Sequence, residues 1–526
     1  MRSNTCLVLL ALVLLVGAQN PHPEAAKFKR SANKSPRASG GLFLTQKTSK
    51  FAVKGNGLPE VDFDIGESYA GSLPIGPPTA ANPDTLWFWF SPSTNPAAKK
   101  EIVIWLSGGP GCSSLSGVFQ ESGPFIWQPG TYKPIPNSYS WNKLTNVIYV
   151  DQPVGTGFSR GNITVRDEKD VANHFMGFWK NFVDTFSIQG YKIFFGGESY
   201  AGQYVPWISA AMLDNGNKTY FNVSGIYISD PVFSYQDVLQ EVPVVPALEK
   251  YNNVMGLDEN TVAQFKAAAN ACGYTSYHTQ HTSNFPPKGP IPAPPNLPGC
   301  KIYGSVVGAA YYANPCFNVY HLTDFCPYLW SELGYPSFGG GPNDYFNRSD
   351  VQKAIHAPRT EFWVCKLKPN IFEGKVDGDK SLPSGLGPLP SVIDRTKNVI
   401  IAHGLLDFLL FADGSLITIQ NMTWGGLQGF RTAPSSTSNF YVPANPSINT
   451  ILGLVANPTP YPPPQYNTAG QGHQGVTHSE RGLTFVKVNL AGHFVAQYTP
   501  GAAYRQLEFL LGRISSLEEV GPYTTG

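Results

Sequence analysis

One stretch of the chain, KIFFGGESYAGQYVPWISAAM, predicts a sharp turn from a strand into a helix at Ser199. An apolar run with strand character ends at Gly196 and Gly197, and a helix-like run begins at Ala201. Small residues let the backbone turn, which leaves the serine hydroxyl exposed at the helix N-terminus. The spacing is close to G-x-S-x-G, with alanine in the last position. The pattern indicates a nucleophilic serine, although an ordinary strand-to-helix turn also fits it.

A nucleophilic serine needs a base and a carboxylate, and two later strands lead to such residues. The run NVIIAHGLLDFLLF predicts a strand and a loop with Asp407, and LTFVKVNLAGHFVAQY predicts a strand and a loop with His493. Parallel sheets place their active sites at the carboxyl ends of strands, and the order Ser, acid, His is that of an α/β-hydrolase. Other candidates for the acid and the base stay open, namely Asp394, Asp413 and His403.

A glycine-rich loop, WLSGGPGCSS, follows another apolar strand and can offer backbone N–H groups to a developing negative charge. Further strings occur in order along the chain: DQPVGTGFS (Asp151–Ser159), GESYAG, the strand before Asp407, and AGH (Ala491–His493). Together they resemble the serine carboxypeptidases, most closely the secreted fungal acid enzymes, over roughly residues 45 to 515. The resemblance implies an α/β-hydrolase fold, with a mixed, mainly parallel sheet, helices on both faces and a disulfide-containing cap insertion.

The resemblance also implies a role for each candidate at the reacting centre. Ser199 is expected to be the nucleophile and His493 the general base and then the acid. Asp407 is expected to orient the imidazole. The backbone N–H groups of Gly109 and Tyr200 are expected to form the oxyanion hole.

Recognition of a substrate's free carboxylate is implied for five positions: Trp105, Ser107, Gly108, Glu121 and Glu198. Two acids that face a third carboxylate raise one another's pKa, so we expect Glu198 to hold a proton in mild acid and to donate a hydrogen bond. Activity is then expected to be best in acid and to be lost toward neutral pH mainly through KM. A helix-capping role is the alternative for Glu198.

The chain departs from the family pattern in three places. Most members have asparagine where this chain has Ser107, and a hydroxyl offers fewer donors than an amide. Phe494 and Ala496 stand where methionine and proline are common, and GIYISDPVF (225–233) replaces a Gly-Asn-Gly segment. Because the candidate triad and the glycine loop are intact, we interpret these departures as changes of specificity.

The chain has 526 residues, which suits an α/β core with a large insertion. Its formal net charge of +1 and the lack of a Lys/Arg cluster with interleaved aromatics argue against a nucleic-acid partner. No H-E-x-x-H or phosphate-loop motif occurs, so we expect no metal and no organic cofactor. The expected partners are the C-termini of peptides or proteins. The oligomeric state stays open.

The N-terminus has the pattern of a signal peptide over residues 1–18: Arg2, an apolar run at Cys6–Val16 and a small-residue cleavage site. Residues 19–45 are then a leader or a propeptide, with Lys29–Arg30 as a candidate processing site. No other segment has transmembrane length, so we expect no membrane association. We expect a secreted protein, with a vacuole as the alternative destination.

Five sequons fit a glycosylated surface: Asn162, Asn217, Asn222, Asn347 and Asn421.

The chain has seven cysteines, and removal of Cys6 with the signal leaves an even number, which suits an oxidising compartment. The sequence itself does not choose among the many pairings, and a zinc site is the rival interpretation, although no C-x₂-C spacing supports it. The family resemblance implies the disulfides Cys112–Cys365, Cys272–Cys326 and Cys300–Cys316.

The predicted organisation has three parts after the leader. Residues 46–235 form the first part of the α/β core, with the strands TLWFWF, EIVIWL, NVIYVD, KIFFG and GIYIS. Residues 236–390 have weaker periodicity, a cluster of four cysteines at 272–326 and the stretch FPPKGPIPAPPNLPGC, which predicts a cap or insertion. Residues 391–526 return to the sheet at NVIIA and TFVKV.

The expected function is hydrolysis of C-terminal residues through an acyl-enzyme at acidic pH. Two alternatives stay open. The first is an acyltransferase, which passes the acyl group to an acceptor other than water. The second is a non-catalytic binding or protective protein on the same fold.

Overall fold

The computed structural model of the protein describes residues 41–80, 83–96, 98, 100–327, 329, 331, 333, 345–366, 371–373, 378–435, 437–445 and 471–525. The predicted signal peptide and the leader as far as residue 40 lie outside the described residues. The chain divides into two compact units, Met1–Leu42 and Phe43–Gly526, and all elements below belong to the second. No helix of the described residues is long and apolar enough to cross a membrane.

The described strands are β1 Ala52–Val53, β2 Ser68–Pro74, β3 Thr85–Ser91, β4 Glu101–Leu106, β5 Phe125–Ile126, β6 Ile135–Pro136, β7 Asn146–Asp151, β8 Lys192–Glu198, β9 Val223–Ser229, β10 Val399–Gly404, β11 Thr423–Trp424, β12 Leu427–Gln428, β13 Asn439–Val442, β14 Gly472–Glu480 and β15 Leu483–Val488. Eleven of them form one sheet in the order β1-β2-β3-β7-β4-β8-β9-β10-β15-β14-β13. The central run from β7 to β15 is parallel, and the outer pairs are antiparallel. The mixed sheet that the sequence predicted is therefore confirmed.

The central strands are mainly apolar and almost wholly buried, because helices cover both faces of the sheet. Alternate residues of β4 belong to different apolar clusters, since successive side chains of a strand point to opposite faces. Ile102 and Ile104 pack in one cluster with helix Glu168–Phe186, and Val103 packs in the other with helix Pro500–Leu510. Helices on both faces of the sheet are thus also confirmed.

The described α-helices are Glu168–Phe186, Ala201–Asn215, Val244–Met255, Glu259–Ala271, Tyr274–Ser283, Tyr303–Ala313, Ser349–Ala354, Leu389–Thr396, Ala412–Asn421, Val495–Tyr498 and Pro500–Leu510. Short 3-10 helices lie at Ser49–Phe51, Trp141–Lys143, Tyr345–Asn347 and Ser384–Leu386, and π-turns at Gly117–Glu121 and Asp237–Glu241. The first long helix begins where the Asp167 side chain accepts from two backbone N–H groups and ends at Ser187 in the left-handed region.

Four helices between β9 and β10, namely Val244–Met255, Glu259–Ala271, Tyr274–Ser283 and Tyr303–Ala313, share an apolar cluster with Phe408, Phe411 and Ile417 from the chain after β10. Their periodicity is weak in the sequence because they bury few residues; helix Glu259–Ala271 buries only Ala269. The insertion also contacts the loop after β10, where Leu322 N donates to Leu406 O at 3.0 Å and Phe408 N donates to Val319 O at 2.8 Å. The domain boundaries at 235 and 390 stay predictions.

One of the three expected disulfides is confirmed and two are wrong. Cys112 is bonded to Cys365, as expected. The insertion contains Cys272–Cys300 and Cys316–Cys326 in place of the nested pairs Cys272–Cys326 and Cys300–Cys316.

The local pairing follows from the fold of the insertion. Cys272 ends helix Glu259–Ala271, and the chain returns to it just before helix Tyr303–Ala313, where the Tyr274 hydroxyl donates to Cys300 O at 2.7 Å. The two cysteines are buried in the same apolar cluster, so they meet there.

The Phe182→Ala variant is expected to lose about 3–5 kcal/mol of unfolding free energy, measured by denaturant titration. The Phe182 ring lies 4.5–5.4 Å from the rings of Phe88, Phe90, Trp179 and Phe186, so its removal leaves a cavity between helix and sheet. Asn173→Ala, on the exposed side of the same helix, is the control and should change stability by less than about 0.5 kcal/mol. Equal losses in both variants would contradict this packing.

Candidate active site

Ser199 occupies the predicted turn between β8 and helix Ala201–Asn215. Its φ is 58°, in the left-handed region, and its N–H donates to Ser229 O at 3.0 Å. A Cβ at Gly197 would lie 2.7 Å from Cβ of Ala201, so only glycine fits there. Backbone strain at a serine that is held by neighbouring strands is typical of a functional turn.

Asp407 and His493 form a buried hydrogen-bonded pair. His493 Nδ1 lies 2.7 Å from Asp407 Oδ2, and both side chains are fully buried. The other carboxylate oxygen of Asp407 accepts from the N–H groups of Leu409 at 2.7 Å and Leu410 at 3.2 Å. Because Nδ1 faces a carboxylate, we assign the proton to it; Nε2 has no hydrogen-bond partner among the described residues. That nitrogen is free to act as a base.

The three candidates share one edge of the sheet. Strands β8, β10 and β15 are parallel, with β9 between β8 and β10, and each of the three candidates follows the carboxyl end of its strand. The loops at this edge touch, since a Cβ at Gly404 would lie 2.0 Å from Gly492 O. His493 N also donates to Tyr320 O of the insertion at 2.7 Å.

The rival candidates are engaged elsewhere. Asp394 accepts from Lys397 at 3.0 Å, and Asp413 from Lys487 at 3.2 Å. His403 is buried, and its Nε2 lies 2.6 Å from the Ser415 hydroxyl. None of these contacts includes His493 or Ser199.

The glycine loop after β4 lies against the Ser199 turn. A Cβ at Gly108 would lie 2.4 Å from Tyr200 N and 2.8 Å from Cβ of Ser199. In the described part of the chain, neither Gly109 N nor Tyr200 N donates to a protein acceptor. The Cys112–Cys365 disulfide joins this loop to a later part of the insertion. Two free donors beside a serine are the arrangement that an oxyanion requires.

Glu121 and Glu198 form a buried acid pair next to Ser199, with exposed fractions of 1% and 2%. Burial raises the pKa of Glu121 to about 7, although its hydrogen bond with Glu198 lowers it. Burial and the facing Glu121 raise the pKa of Glu198 well above its usual range. Glu121 lies in the π-turn Gly117–Glu121, a feature frequent at functional sites. Both acids are therefore neutral in mild acid.

The Ser107 hydroxyl is held between two side chains. Trp105 Nε1 donates to it at 3.3 Å, and the hydroxyl of Ser116 lies 3.1 Å away. Phe494, the second departure, stacks on Tyr320 with ring centroids 5.4 Å apart and packs against the ring of His493 at 5.2 Å. Both departures thus lie in direct contact with candidate site residues.

Asp230 is an acid of the site that the sequence analysis did not assign. It follows β9, and its carboxyl, Asp407 and His493 have ligand atoms that all lie within 4.8 Å of one another. The three are the only such group in the described residues, but Asp407 and His493 already bond each other, so we assign no metal to them. The sequence signal that could have identified Asp230 was its position directly after an apolar strand, β9, which is the neighbour of β8.

The comparisons with known proteins agree with this geometry. A family model described as serine carboxypeptidase matches residues 59–512. A carboxypeptidase Y homolog from Arthroderma benhamiae is 49% identical over 491 residues, covering 93% of this chain and 92% of the relative. The serine-type carboxypeptidase F of Aspergillus niger is 40% identical over 488 residues, covering 90% and 89%. The chain belongs to the serine carboxypeptidase family.

Membership makes the protein a serine-type carboxypeptidase, a hydrolase of the exopeptidase class, as the motifs predicted. Kex1Δp, a prohormone-processing carboxypeptidase from Saccharomyces cerevisiae, is similar in structure, with a TM-score of 0.65 and 22% identity over 89% of this chain and 96% of that one. At that identity the likeness establishes the fold alone, which is the α/β-hydrolase fold expected from the sequence.

The Gly108→Ala variant of this carboxypeptidase is expected to lose about a hundredfold in kcat/KM for peptide hydrolysis. The new methyl group would displace Tyr200 N, 2.4 Å away, and so disturb one of the two free donors. Gly304→Ala, in helix Tyr303–Ala313 with open space around it, is the matched control and should stay within about threefold of the wild type. If the kcat/KM of Gly108→Ala equals that of the control, the close approach of Gly108 to Tyr200 N is not needed for activity.

Proposed function

We propose that the protein is a secreted enzyme that removes C-terminal residues from peptides through an acyl-enzyme and works best in acid. The observation that carries the mechanism is the buried pair of His493 and Asp407, with a free Nε2, at the sheet edge where Ser199 turns.

The reaction divides into two similar steps. Ser199 Oγ attacks the carbonyl carbon of the last peptide bond while His493 Nε2 takes its proton. The N–H groups of Gly109 and Tyr200 stabilise the resulting oxyanion. Collapse breaks the C–N bond, and His493 returns the proton to the departing amine. Water, deprotonated by His493, then cleaves the Ser199 ester and frees the shortened peptide.

The acid pair explains the choice of a chain terminus. A substrate's terminal carboxylate is negative, and two neutral carboxyl groups, Glu121 and Glu198, can each donate a hydrogen bond to it. Trp105 Nε1 donates to the Ser107 hydroxyl at 3.3 Å, and a Cβ at Gly117, in the π-turn that also contains Glu121, would lie 2.6 Å from Trp105 Nε1. As the pH rises toward the pKa of Glu121, near 7, the pair gains negative charge and repels the substrate. As the pH rises, substrate binding therefore weakens before the rate of the chemical step falls.

Secretion is supported by the three disulfides of the described chain, which suit an oxidising compartment. The sequons differ in access. Asn162 and Asn217 are exposed, whereas the side-chain amide of Asn347 both accepts from Phe362 N at 2.7 Å and donates to Phe362 O at 3.2 Å. We propose that Asn162 and Asn217 are glycosylated in preference to Asn347.

The Ser199→Ala variant is expected to lose kcat by about a thousandfold or more and to resist labelling by a fluorophosphonate, because its nucleophile is gone. Ser305→Ala, at an exposed position of helix Tyr303–Ala313, is the control and should stay active and labelled. Release of the last residue from a blocked dipeptide, followed by mass spectrometry, measures activity. An active, labelled Ser199→Ala enzyme would remove Ser199 from the mechanism.

The KM of the wild type is expected to rise by about fourfold between about pH 5 and 7.5, as Glu121, whose pKa is about 7, loses its proton. The double variant Glu121→Gln/Glu198→Gln keeps donors but cannot ionise, so its KM should stay nearly flat. Steady-state kinetics on one peptide at each pH measures both. A flat KM for the wild type would overturn the proposed carboxylate site.

A further inference from the structure

Asp230 lies between the elements that carry the catalytic groups. It follows β9, which is the strand between β8, with Ser199, and β10, with Asp407. Its φ of 45° turns the chain after the strand, and its N–H donates to Ala402 O at 2.8 Å. Asp230 is fully buried, and one of its carboxyl oxygens lies within 4.8 Å of a carboxyl oxygen of Asp407, so the two acids face each other.

One of these two facing acids must keep a proton, because like charges in contact and out of water cannot both persist. Asp407 accepts from His493 Nδ1 and from two backbone N–H groups, which stabilise a carboxylate. Asp230 accepts at Oδ1 from Gly404 N at 2.9 Å, and its Oδ2 has no donor in the described residues. Burial, and then the charge of Asp407, raise the pKa of Asp230 well above its usual range.

Among the described residues, no cation compensates a charge on Asp230. His403 Nδ1 lies 3.0 Å from Asp230 Oδ1, but burial lowers the pKa of His403 to about 3, so this imidazole is neutral. The charge of Lys487 is directed to Asp413, at 3.2 Å. The titratable groups that face Asp230 are Asp407, Glu198, Tyr227, His403 and His493. Protonated Asp230 is therefore the donor of the pair.

We propose that Asp230 is a positioning residue, which donates a hydrogen bond from its carboxyl group to Asp407 and so holds that carboxylate against Nδ1 of His493. The inference rests on the proposed roles of Asp407 and His493. When Asp230 loses its proton at higher pH, the hydrogen bond is replaced by repulsion between two carboxylates, and Asp407 is pushed from the imidazole. The effect falls on kcat, whereas ionisation of Glu121 and Glu198 falls on KM.

The test compares Asp230→Asn, which still donates but cannot ionise, with Asp230→Gly, which removes the side chain and accepts a φ of 45°. Asp413→Asn is the matched control, because Asp413 does not contact Asp407. Values of kcat and KM are measured on one peptide from about pH 4.5 to 7.5, with thermal unfolding of each variant.

Asp230→Gly is expected to lose about tenfold to a hundredfold in kcat across the range, with KM within about threefold of the wild type. Asp230→Asn should recover most of that loss in acid, and its kcat should decline toward neutral pH less steeply than the wild type's. Asp413→Asn should follow the wild-type profile.

Equal kcat losses in both Asp230 variants, or a kcat profile of Asp230→Asn that matches the wild type, would overturn the proposal. If Asp230→Gly does not fold, the profile of Asp230→Asn decides alone. Failure of the proposed function is a different result, namely fluorophosphonate labelling that survives Ser199→Ala.

Discussion

The site depends on the burial of acidic side chains, away from water, near the C-terminal ends of the parallel strands. A buried acid either accepts several N–H groups, as Asp407 does, or is more stable with its proton. Glu121, Glu198 and Asp230 belong to the second kind, since burial is the largest cause of each raised pKa. The same environment thus surrounds Asp407 with N–H donors and raises the pKa of the other three acids.

This constraint also acts on the fold. A carboxyl group whose pKa is higher in the folded than in the unfolded state binds its proton more tightly when folded. Its contribution to stability is fully present below the pKa of the unfolded chain and is lost as pH rises through the folded pKa, which is about 7 for Glu121. The folded state and the proposed reaction therefore favour the same range of pH.

Much of the site follows from local sequence, and the rest depends on the order of strands. The Ser199 turn is predictable because the apolar run, the glycines and the helix are contiguous, and Asp407 and His493 each follow their own apolar strand. Contact between Asp230 and Asp407 is different in kind. It exists only because β9 lies between β8 and β10 in the sheet, which no residue near Asp230 encodes.

The insertion also has features that the local sequence does not predict. Its helices bury few residues, so their periodicity is weak, and the bonds Cys272–Cys300 and Cys316–Cys326 follow from how those helices fold back. The Cys112–Cys365 bond involves the loop beside Ser199, which the sequence marks with its glycines, and the family resemblance identified its partner correctly.

That bond spans 253 residues and encloses the insertion's helices from Val244–Met255 to Tyr303–Ala313. A single proteolytic cut between residues 235 and 365 would give two polypeptides, one with Ser199 and one with Asp407 and His493, that remain covalently joined at the glycine loop after β4. The carboxypeptidase would then exist as a nicked, two-chain protein that separates only after reduction.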